Sequence, residues 1–261
     1  MRRFRTCAWL LPALVLVSAG VTAAAGDSST SGGQRADTER AKAIYARDCQ
    51  SCHGIAGGGV AGTGPAIGTG GLKGAGPSLR GVGAAAADLY LSTGYMPLDN
   101  ANDPPKRSAP RYSKQDRDAL VAYVASLGKG PPVPRVEPGE GSVREGLELF
   151  AESCAGCHQV VGKGGVVLDG IAPDLKHATA PQIAEAVRVG PFLMPPFSEK
   201  QISDRELASL VRYIRYSQHP EDRGGWELGH LGPIPEGLVA WIVAGIALLA
   251  VARFLGKRIE S

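Results

Sequence analysis

The sequence predicts an all-α protein in which two tandem helical domains precede a C-terminal transmembrane helix. Three observations support this fold class. No segment alternates polar and apolar residues for long enough to indicate a β-strand. One series of motifs occurs twice along the chain. An apolar stretch at 237–256, with a single charged residue, follows the second copy and has the length of a membrane span.

The composition limits the class of protein. The chain has 261 residues, which is enough for one or two domains of ordinary size. Hydrophobic residues make up 44% and charged residues 20%, as in globular proteins and unlike disordered chains or coiled coils. The net charge of +3 is too small for the basic surface of a nucleic-acid-binding protein, so we expect no nucleic-acid partner.

Residues 1–26 have the pattern of an export segment. Arg2, Arg3 and Arg5 precede an apolar stretch that ends in the small residues Ala23–Ala25. This order is typical of a secretory signal peptide with an A-x-A cleavage site. The apolar stretch is about 19 residues long, which is also enough for a retained membrane anchor. Both alternatives stay open, and both predict that the residues that follow are exported.

Two domains are predicted at 36–128 and 142–220, joined by a proline- and glycine-rich linker at 129–141. Each domain contains a helix that ends at a C-x-x-C-H motif, a glycine-bearing loop, a short helix, a Met-Pro pair and an amphipathic helix. Ser113 and Ser203, each followed three residues later by an acidic residue, predict capping boxes that begin the amphipathic helices. Such small domains have thin cores, so we expect a cross-link or a large buried cofactor in each.

The repeated motif contains two cysteines and a histidine: Cys49, Cys52 and His53 in the first domain, then Cys154, Cys157 and His158 in the second. C-x-x-C-H is the attachment signature of c-type haem. Two intervening residues let the thiols reach the two vinyl groups on one edge of a porphyrin, and the adjacent histidine then reaches the iron. The sequence therefore predicts two covalently bound haem c groups.

Three other uses of paired cysteines fit less well. Disulfides suit an exported chain, but a two-residue gap closes a strained loop and leaves the histidines unexplained. Paired zinc half-sites lie about 15–20 residues apart, much closer than these two motifs. A thioredoxin-type pair belongs in an alternating strand–helix pattern that this sequence lacks.

Two methionines are candidate iron ligands. Apart from Met1, the chain contains only Met96 and Met194, and each lies in a Met-Pro pair after the short helix of its domain. Methionine is usually core filler, but matching places in two repeats favour ligation. Histidine and methionine form one of the standard axial sets for haem. With both axial positions filled, no site is open for a substrate, which indicates electron transfer and no catalytic residues.

Pro77 and Pro173 follow the glycine-bearing loops in matching Pro-x-Leu segments. We expect their carbonyls to accept hydrogen bonds from the imidazole N–H groups of His53 and His158 and so to orient the two rings towards the iron. The alternative is an ordinary turn proline.

The stretch at 237–256 predicts a transmembrane helix, because 20 residues at about 1.5 Å each span roughly 30 Å, the thickness of a bilayer core. Arg253, Lys257 and Arg258 place the C-terminus in the cytoplasm and the domains on the extracytoplasmic side of the cell membrane. Residues 221–236 would form a juxtamembrane segment. A buried core helix is the alternative for this stretch.

Net charge differs between the two halves. Residues 27–135 carry 13 basic and 9 acidic side chains, whereas residues 136–230 carry 9 basic and 14 acidic ones. This difference is either ordinary surface variation or a sign that the domains face different partners, with electrostatic steering between them.

Each half resembles the class I c-type cytochromes through C-x-x-C-H, Pro-x-Leu and Met-Pro. The whole arrangement resembles the dihaem cytochrome c subunit of the actinobacterial cytochrome bc1 complex over nearly its full length, including 224–241 before and within the apolar stretch. The resemblance implies two tandem class I cytochrome c domains with a C-terminal transmembrane helix. It also implies that Cys49, Cys52, His53 and Met96 hold one haem, and Cys154, Cys157, His158 and Met194 the other.

The resemblance further implies a place in respiration. Electrons would pass from the Rieske iron–sulfur protein, which works with cytochrome b, through both haems to the dinuclear copper centre of a cytochrome c oxidase. The leading hypothesis is thus an electron-transfer subunit of quinol:cytochrome c reductase with no catalytic site of its own. The alternatives are an electron-transfer subunit of a periplasmic dehydrogenase and a dihaem peroxidase, which needs a displaceable iron ligand.

Overall fold

The computed structural model describes residues 28–60, 66–67, 71–72, 76–99, 105–168, 170–219 and 233–259. The predicted export segment at 1–26 and most of the predicted juxtamembrane segment at 221–236 lie outside these residues. The described chain is mostly helical, which confirms the predicted fold class.

The first half is built on three packed helices. Its elements are α1 (Ser28–Asp48), α2 (Gln50–His53), a 3-10 turn (Ile55–Gly57), β1 (Ala66–Ile67), β2 (Gly71–Leu72), α3 (Gly83–Ser92) and α4 (Lys114–Ser126). Helices α1 and α3 both pack against α4. Their apolar faces bury Ile44, Tyr45, Leu91 and Leu120, each less than a tenth exposed. This core lies directly beside the first cysteine pair.

The second half repeats the arrangement. Its elements are a 3-10 turn (Pro138–Glu140), α5 (Val143–Ser153), α6 (Ala155–His158), β3 (Gly165–Val167), β4 (Gly170–Ala172), α7 (Ala180–Val189) and α8 (Asp204–Gln218). Helices α5 and α7 pack on α8. Leu207, Leu210 and Val211 of α8 have no exposed surface, and Phe150 of α5 is 1% exposed beside them. Burying each such side chain contributes about 1.5–3 kcal/mol of transfer free energy.

Side-chain caps begin the helices. Ser203 and Glu206 form the complete capping box that the sequence predicts. Ser113 caps the Asp116 N–H, but the Asp116 carboxylate accepts from the Ser113 hydroxyl at 2.7 Å and makes no bond to the Ser113 backbone. The shorter aspartate side chain explains the incomplete box. Thr179 and Gln182 form a further complete box at the start of α7 that the sequence analysis did not predict.

Two short hairpins depart from the prediction that strands are absent. Strands β1 and β2 pair antiparallel, with Ala66 opposite Leu72, and β3 and β4 pair with Val166 opposite Ile171. Both hairpins lie in the glycine-bearing loops. Strands of two or three residues are too short to show a polar–apolar alternation, so the periodicity of the sequence does not reveal them.

The predicted linker at 129–141 packs on both halves. The Pro131 carbonyl accepts the Ala85 N–H at 3.1 Å, and the Arg212 guanidinium donates to the Gly141 carbonyl at 2.6 Å. A Cβ on Gly83 would come within 2.5 Å of the Pro131 backbone, so only glycine permits this approach. The segment is therefore anchored at both of its ends.

The two halves meet where α3 packs against α7. Gln182 of α7 joins them, since its Nε2 donates to the Ser92 carbonyl at 3.2 Å and its Oε1 accepts from Arg107 Nη2 at 2.7 Å. Arg107 also donates to the His177 carbonyl at 3.0 Å. These contacts hold the halves in a defined relative position.

Helix α9 (Pro233–Ile259) contains the predicted membrane span. The stretch at 237–256 has a mean hydropathy of 2.4, and none of its most apolar window is buried against the rest of the described chain. A core helix of a soluble protein would be largely buried, so the exposed apolar surface agrees with a membrane anchor.

A buried carboxyl lies in the interface between the halves. Glu185 of α7 is 0% exposed, and neither carboxyl oxygen has a hydrogen-bond donor within reach among the described residues. Burial, together with the neighbouring Asp88 carboxyl of α3, raises the pKa of Glu185 to about 9. The folded protein therefore holds a proton here over a pH range in which the unfolded chain has lost it.

We expect the free energy of unfolding to fall as the pH rises from about 4.5, the ordinary pKa of this side chain, towards 9. Glu185→Gln removes the titrating group and is expected to stabilise the protein by several kcal/mol at pH 8, because each pH unit between the two pKa values costs about 1.4 kcal/mol, with little gain at pH 4.5. Chemical denaturation of the detergent-solubilised chain at both pH values measures the difference. An equal effect of Glu185→Gln at both would contradict the assignment.

Candidate haem sites

The first cysteine pair lies at the junction of α1 and α2. The Cys49 N–H donates to the Tyr45 carbonyl at 2.9 Å, which ends α1, and the Cys49 carbonyl accepts the N–H groups of Cys52 and His53 at 3.1 and 2.8 Å. These backbone bonds fix both cysteines and the histidine on one short helical turn. Both cysteines are free thiols, so the structure has no disulfide between them.

A proline carbonyl holds the first imidazole. Nδ1 of His53 lies 2.8 Å from the Pro77 carbonyl oxygen. Because a carbonyl can only accept, the proton of the neutral ring is on Nδ1 and the lone pair is on Nε2. Nε2 is the nitrogen that a metal needs. A Cβ on Gly76 would come within 2.5 Å of the Cys52 carbonyl, so glycine lets the proline segment approach this closely.

The second half repeats this geometry. Cys154 and Cys157 are free thiols at the junction of α5 and α6, and the Cys154 carbonyl accepts the His158 N–H at 2.9 Å. Nδ1 of His158 lies 3.1 Å from the Pro173 carbonyl oxygen. Burial lowers the pKa of His158, and the carbonyl offsets part of this effect. The imidazole is therefore neutral near pH 7, which is the form that binds a metal.

Each methionine lies in the same apolar cluster as the first cysteine of its domain. Met96 and Cys49 pack against the core of the first half, and Met194 and Cys154 pack against the core of the second. The first cysteine and the methionine of each half therefore lie in one region, and the second cysteine and the histidine follow that first cysteine on the same short turn. This set of donors fits a covalently attached haem with one histidine and one methionine ligand.

The thiols do not resemble those of the alternative sites. Burial raises the pKa of Cys49 and of Cys154 to about 11, whereas a redox-active C-x-x-C pair has a thiol of lowered pKa. In the part of the chain that the structure describes, no three histidine, cysteine or acidic side chains converge as zinc ligands would.

Each half contains an aromatic pair that was not predicted from the sequence and that packs beside its cysteines. Tyr45 and Phe150, each four residues before the first cysteine, contact Tyr123 and Tyr213 at ring-centroid distances of 5.1 and 5.3 Å. The constant spacing from the cysteines could have revealed this pair. In the first half the Tyr45 hydroxyl donates to the Gly54 carbonyl at 2.8 Å and accepts the Gly57 N–H at 3.0 Å.

In the second half the last helix supplies the hydroxyl. Phe150 has none, and the Tyr213 hydroxyl donates to the Val160 carbonyl at 3.0 Å. Both hydroxyls therefore bind the backbone shortly after the C-x-x-C-H motif, although they come from opposite members of the aromatic pair. The two sites obtain the same support from different positions.

Comparison with known proteins agrees with this geometry. Residues 38–128 match the family model described as cytochrome c. Residues 141–214 match the model described as cytochrome c oxidase, cbb3-type, subunit III. Each match contains one C-x-x-C-H motif.

Curated relatives cover most of the chain. The cytochrome bc1 complex cytochrome c subunit of Corynebacterium diphtheriae is 33% identical over 86% of this chain and 82% of the relative. The subunit of the same name from Mycobacterium bovis is 35% identical over 83% of this chain and 76% of the relative. The one from Corynebacterium efficiens is 32% identical over 93% of this chain and 86% of the relative. This chain belongs to the family of cytochrome bc1 complex cytochrome c subunits. The family predicted from the motifs is therefore confirmed.

Family membership explains why both halves keep the same constellation. Cytochrome c domains imply covalent haem c, and each of the two halves contains a cysteine pair, a histidine and a methionine. The terminal helix α9 agrees with membrane anchoring of a bc1 complex cytochrome c subunit.

We expect Tyr45→Phe to destabilise the first domain by about 1–3 kcal/mol, because it leaves the buried Gly57 N–H and the Gly54 carbonyl without their partner. Tyr213→Phe, the matched control, removes a single hydrogen bond to Val160 and is expected to cost less. Thermal unfolding of the purified full chain, followed by circular dichroism, compares them. A larger loss in Tyr213→Phe would show that the hydroxyl of Tyr45 does not carry this support.

Proposed function

We propose that the chain is a membrane-anchored dihaem c-type cytochrome that carries electrons as a subunit of quinol:cytochrome c reductase. The observation that carries this proposal is the duplicated constellation. Each half combines two free thiols, an imidazole with Nδ1 at a proline carbonyl, and a methionine in the same apolar cluster. Two sites in one chain suit a carrier that receives electrons at one domain and delivers them from the other.

The residues divide into three roles. The thiols would attach haem c through thioethers: Cys49 and Cys52 in the first domain, Cys154 and Cys157 in the second. His53 and Met96 would hold the iron of one haem, and His158 and Met194 that of the other. Haem c supplies a centre that accepts and releases one electron, and histidine–methionine ligation raises its potential.

Pro77 and Pro173 act on the histidines. By accepting a hydrogen bond from Nδ1–H, each carbonyl fixes the tautomer and the ring orientation and makes Nε2 a better donor to a metal. With a histidine and a methionine of the chain itself holding each iron, the chain would offer no site of its own for a substrate. It serves the reductase by electron transfer alone.

Family membership and charge support the proposed partners and orientation. The donor is the Rieske iron–sulfur subunit of a complex that also contains cytochrome b, and the acceptor is a cytochrome c oxidase with a dinuclear copper centre. Arg253, Lys257 and Arg258 at the end of α9 favour a cytoplasmic C-terminus and extracytoplasmic haem domains. The excess of basic residues in 27–135 and of acidic residues in 136–230 suits docking on different partners.

Purification from the native membrane in mild detergent tests this role. We expect the chain to co-purify with cytochrome b and the Rieske protein, and quinol to reduce both of its haems. Recovery with a dehydrogenase and without cytochrome b would contradict the proposal and favour the dehydrogenase subunit. Binding of carbon monoxide to the reduced wild-type protein without denaturation would indicate a displaceable ligand and a peroxidase.

Substitution of the methionines tests the axial ligands. Met96→Leu and Met194→Leu keep the thiols and histidines, so haem staining of the denatured chain is expected to be unchanged. The potential of the affected haem should fall by a fraction of the roughly 0.8 V that axial ligands span, and its reduced form should bind carbon monoxide. The unaltered domain of each variant is the internal control. Unchanged potentials in either variant would exclude that methionine as a ligand.

A further inference from the structure

The two methionine segments face each other across the interface between the halves. Tyr95 directly precedes Met96, and Phe192 lies two residues before Met194. The rings of Tyr95 and Phe192 contact at a centroid distance of 5.1 Å and an interplanar angle of 73°. An edge contact of this kind is one of the preferred geometries of aromatic pairs.

Tyr90 completes a cluster of three rings. Its ring lies 5.5 Å from that of Phe192 and 6.2 Å from that of Tyr95, at angles of 75° and 63°. The Tyr90 carbonyl accepts the Met96 N–H at 3.1 Å, so Tyr90 is also tied to the first methionine segment. The three-ring cluster of Tyr90, Tyr95 and Phe192 therefore spans the interface from one methionine segment to the other.

In the second half, the backbone conformation at Phe192 turns its ring towards the first half. Phe192 has a φ of +55°, which is uncommon for a residue with a side chain, and the Met194 N–H donates to the Pro191 carbonyl at 3.0 Å. This tight turn places Phe192 against the two tyrosines of the other domain and leaves Met194 packed in its own core. Such a strained backbone at an interface motivates a functional hypothesis.

A polar contact fixes the alignment of the cluster. Gln182 of the second half binds Ser92 and Arg107 of the first half, and Ser92 ends the helix that carries Tyr90. The rings of the methionine segments therefore meet beside a polar bridge that includes the Arg107 guanidinium.

We propose that this three-ring cluster is the path by which electrons pass between the two haem-binding domains. The inference rests on the proposed dihaem function and adds the route within it. The step moves one electron from the reduced centre to the oxidised one, and no bond forms or breaks and no proton moves. Electron tunnelling weakens steeply with distance and more steeply across gaps than through packed atoms. Rings in contact between the two ligand segments therefore provide better coupling than a hydrated cleft.

Phe192→Leu tests the path directly, with Phe192→Tyr as the variant that keeps the ring. In the purified holoprotein, rapid partial reduction followed by absorbance spectroscopy gives the rate of electron equilibration between the two haems. We expect a several-fold loss in Phe192→Leu and a rate near that of the wild type in Phe192→Tyr. Tyr216→Leu, at an exposed aromatic residue on α8, is the surface control and should change nothing.

Reduction potentials and absorption spectra distinguish a loss of electron coupling from a change in the structure of the haem sites. Both reduction potentials and the methionine-to-iron absorption band are expected to be unchanged in Phe192→Leu, since no ligand is altered. Gln182→Ala removes the polar bridge and keeps the rings, so it should slow equilibration less than Phe192→Leu. A wild-type rate in Phe192→Leu, or an equal or greater loss in Gln182→Ala, would overturn the proposal.

The experiments distinguish a wrong electron path from a wrong proposed function. If the chain held fewer than two haems or did not take electrons from quinol in its complex, the proposed function would fall. If both haems were present and reduced by quinol but equilibrated normally in Phe192→Leu, the path alone would fall. Tyr95→Leu removes a ring from the other domain and is expected to give the same loss, which protects the test against misfolding of Phe192→Leu.

Discussion

In both halves of the molecule a proline carbonyl holds the histidine that follows the second cysteine. The contact spans 24 residues in the first half and 15 in the second, so it closes the whole glycine-bearing loop in each case. Loss of this hydrogen bond would free the ring to rotate and to change its tautomer. The helical turn at the cysteines and the tyrosine hydroxyl beyond them hold the other end of the same loop. The rest of each domain holds this loop in place, so that the imidazole keeps one orientation next to the cysteines.

The repeated halves keep their geometry while exchanging the residues that provide it. The hydroxyl that binds the loop comes from Tyr45 on the first helix in one half and from Tyr213 on the last helix in the other. At the interface, Gln182 combines the capping of its own helix with a bridge to the opposite half. Because the two methionine segments meet beside this bridge, the relation between the sites is built into the same contacts that hold the halves together.

Much of this arrangement could be predicted from the sequence. The spacing of the cysteines and histidines, the two methionines at matching places and the apolar terminal stretch led to the helical class and the family, both of which are confirmed. The proline carbonyls were expected beside the histidines and lie there, whereas ligation of iron by His53, Met96, His158 and Met194 stays a prediction. The hairpins were missed because strands of two or three residues have no measurable period. The interface was missed because the periodicity of a single helix does not specify which neighbour its face will meet. Glu185 is an example, since a charged residue in the middle of α7 would be expected on the solvent face, whereas it is buried between the halves.

The central claim is that each constellation binds one haem covalently. Mass spectrometry of the intact chain purified from its membrane, combined with an iron determination, measures this directly. The account predicts a mass that exceeds the polypeptide by two haem groups, two iron atoms per chain and no titratable thiol at Cys49, Cys52, Cys154 or Cys157. A chain with a single haem, or with disulfides in place of thioethers at either motif, would contradict it.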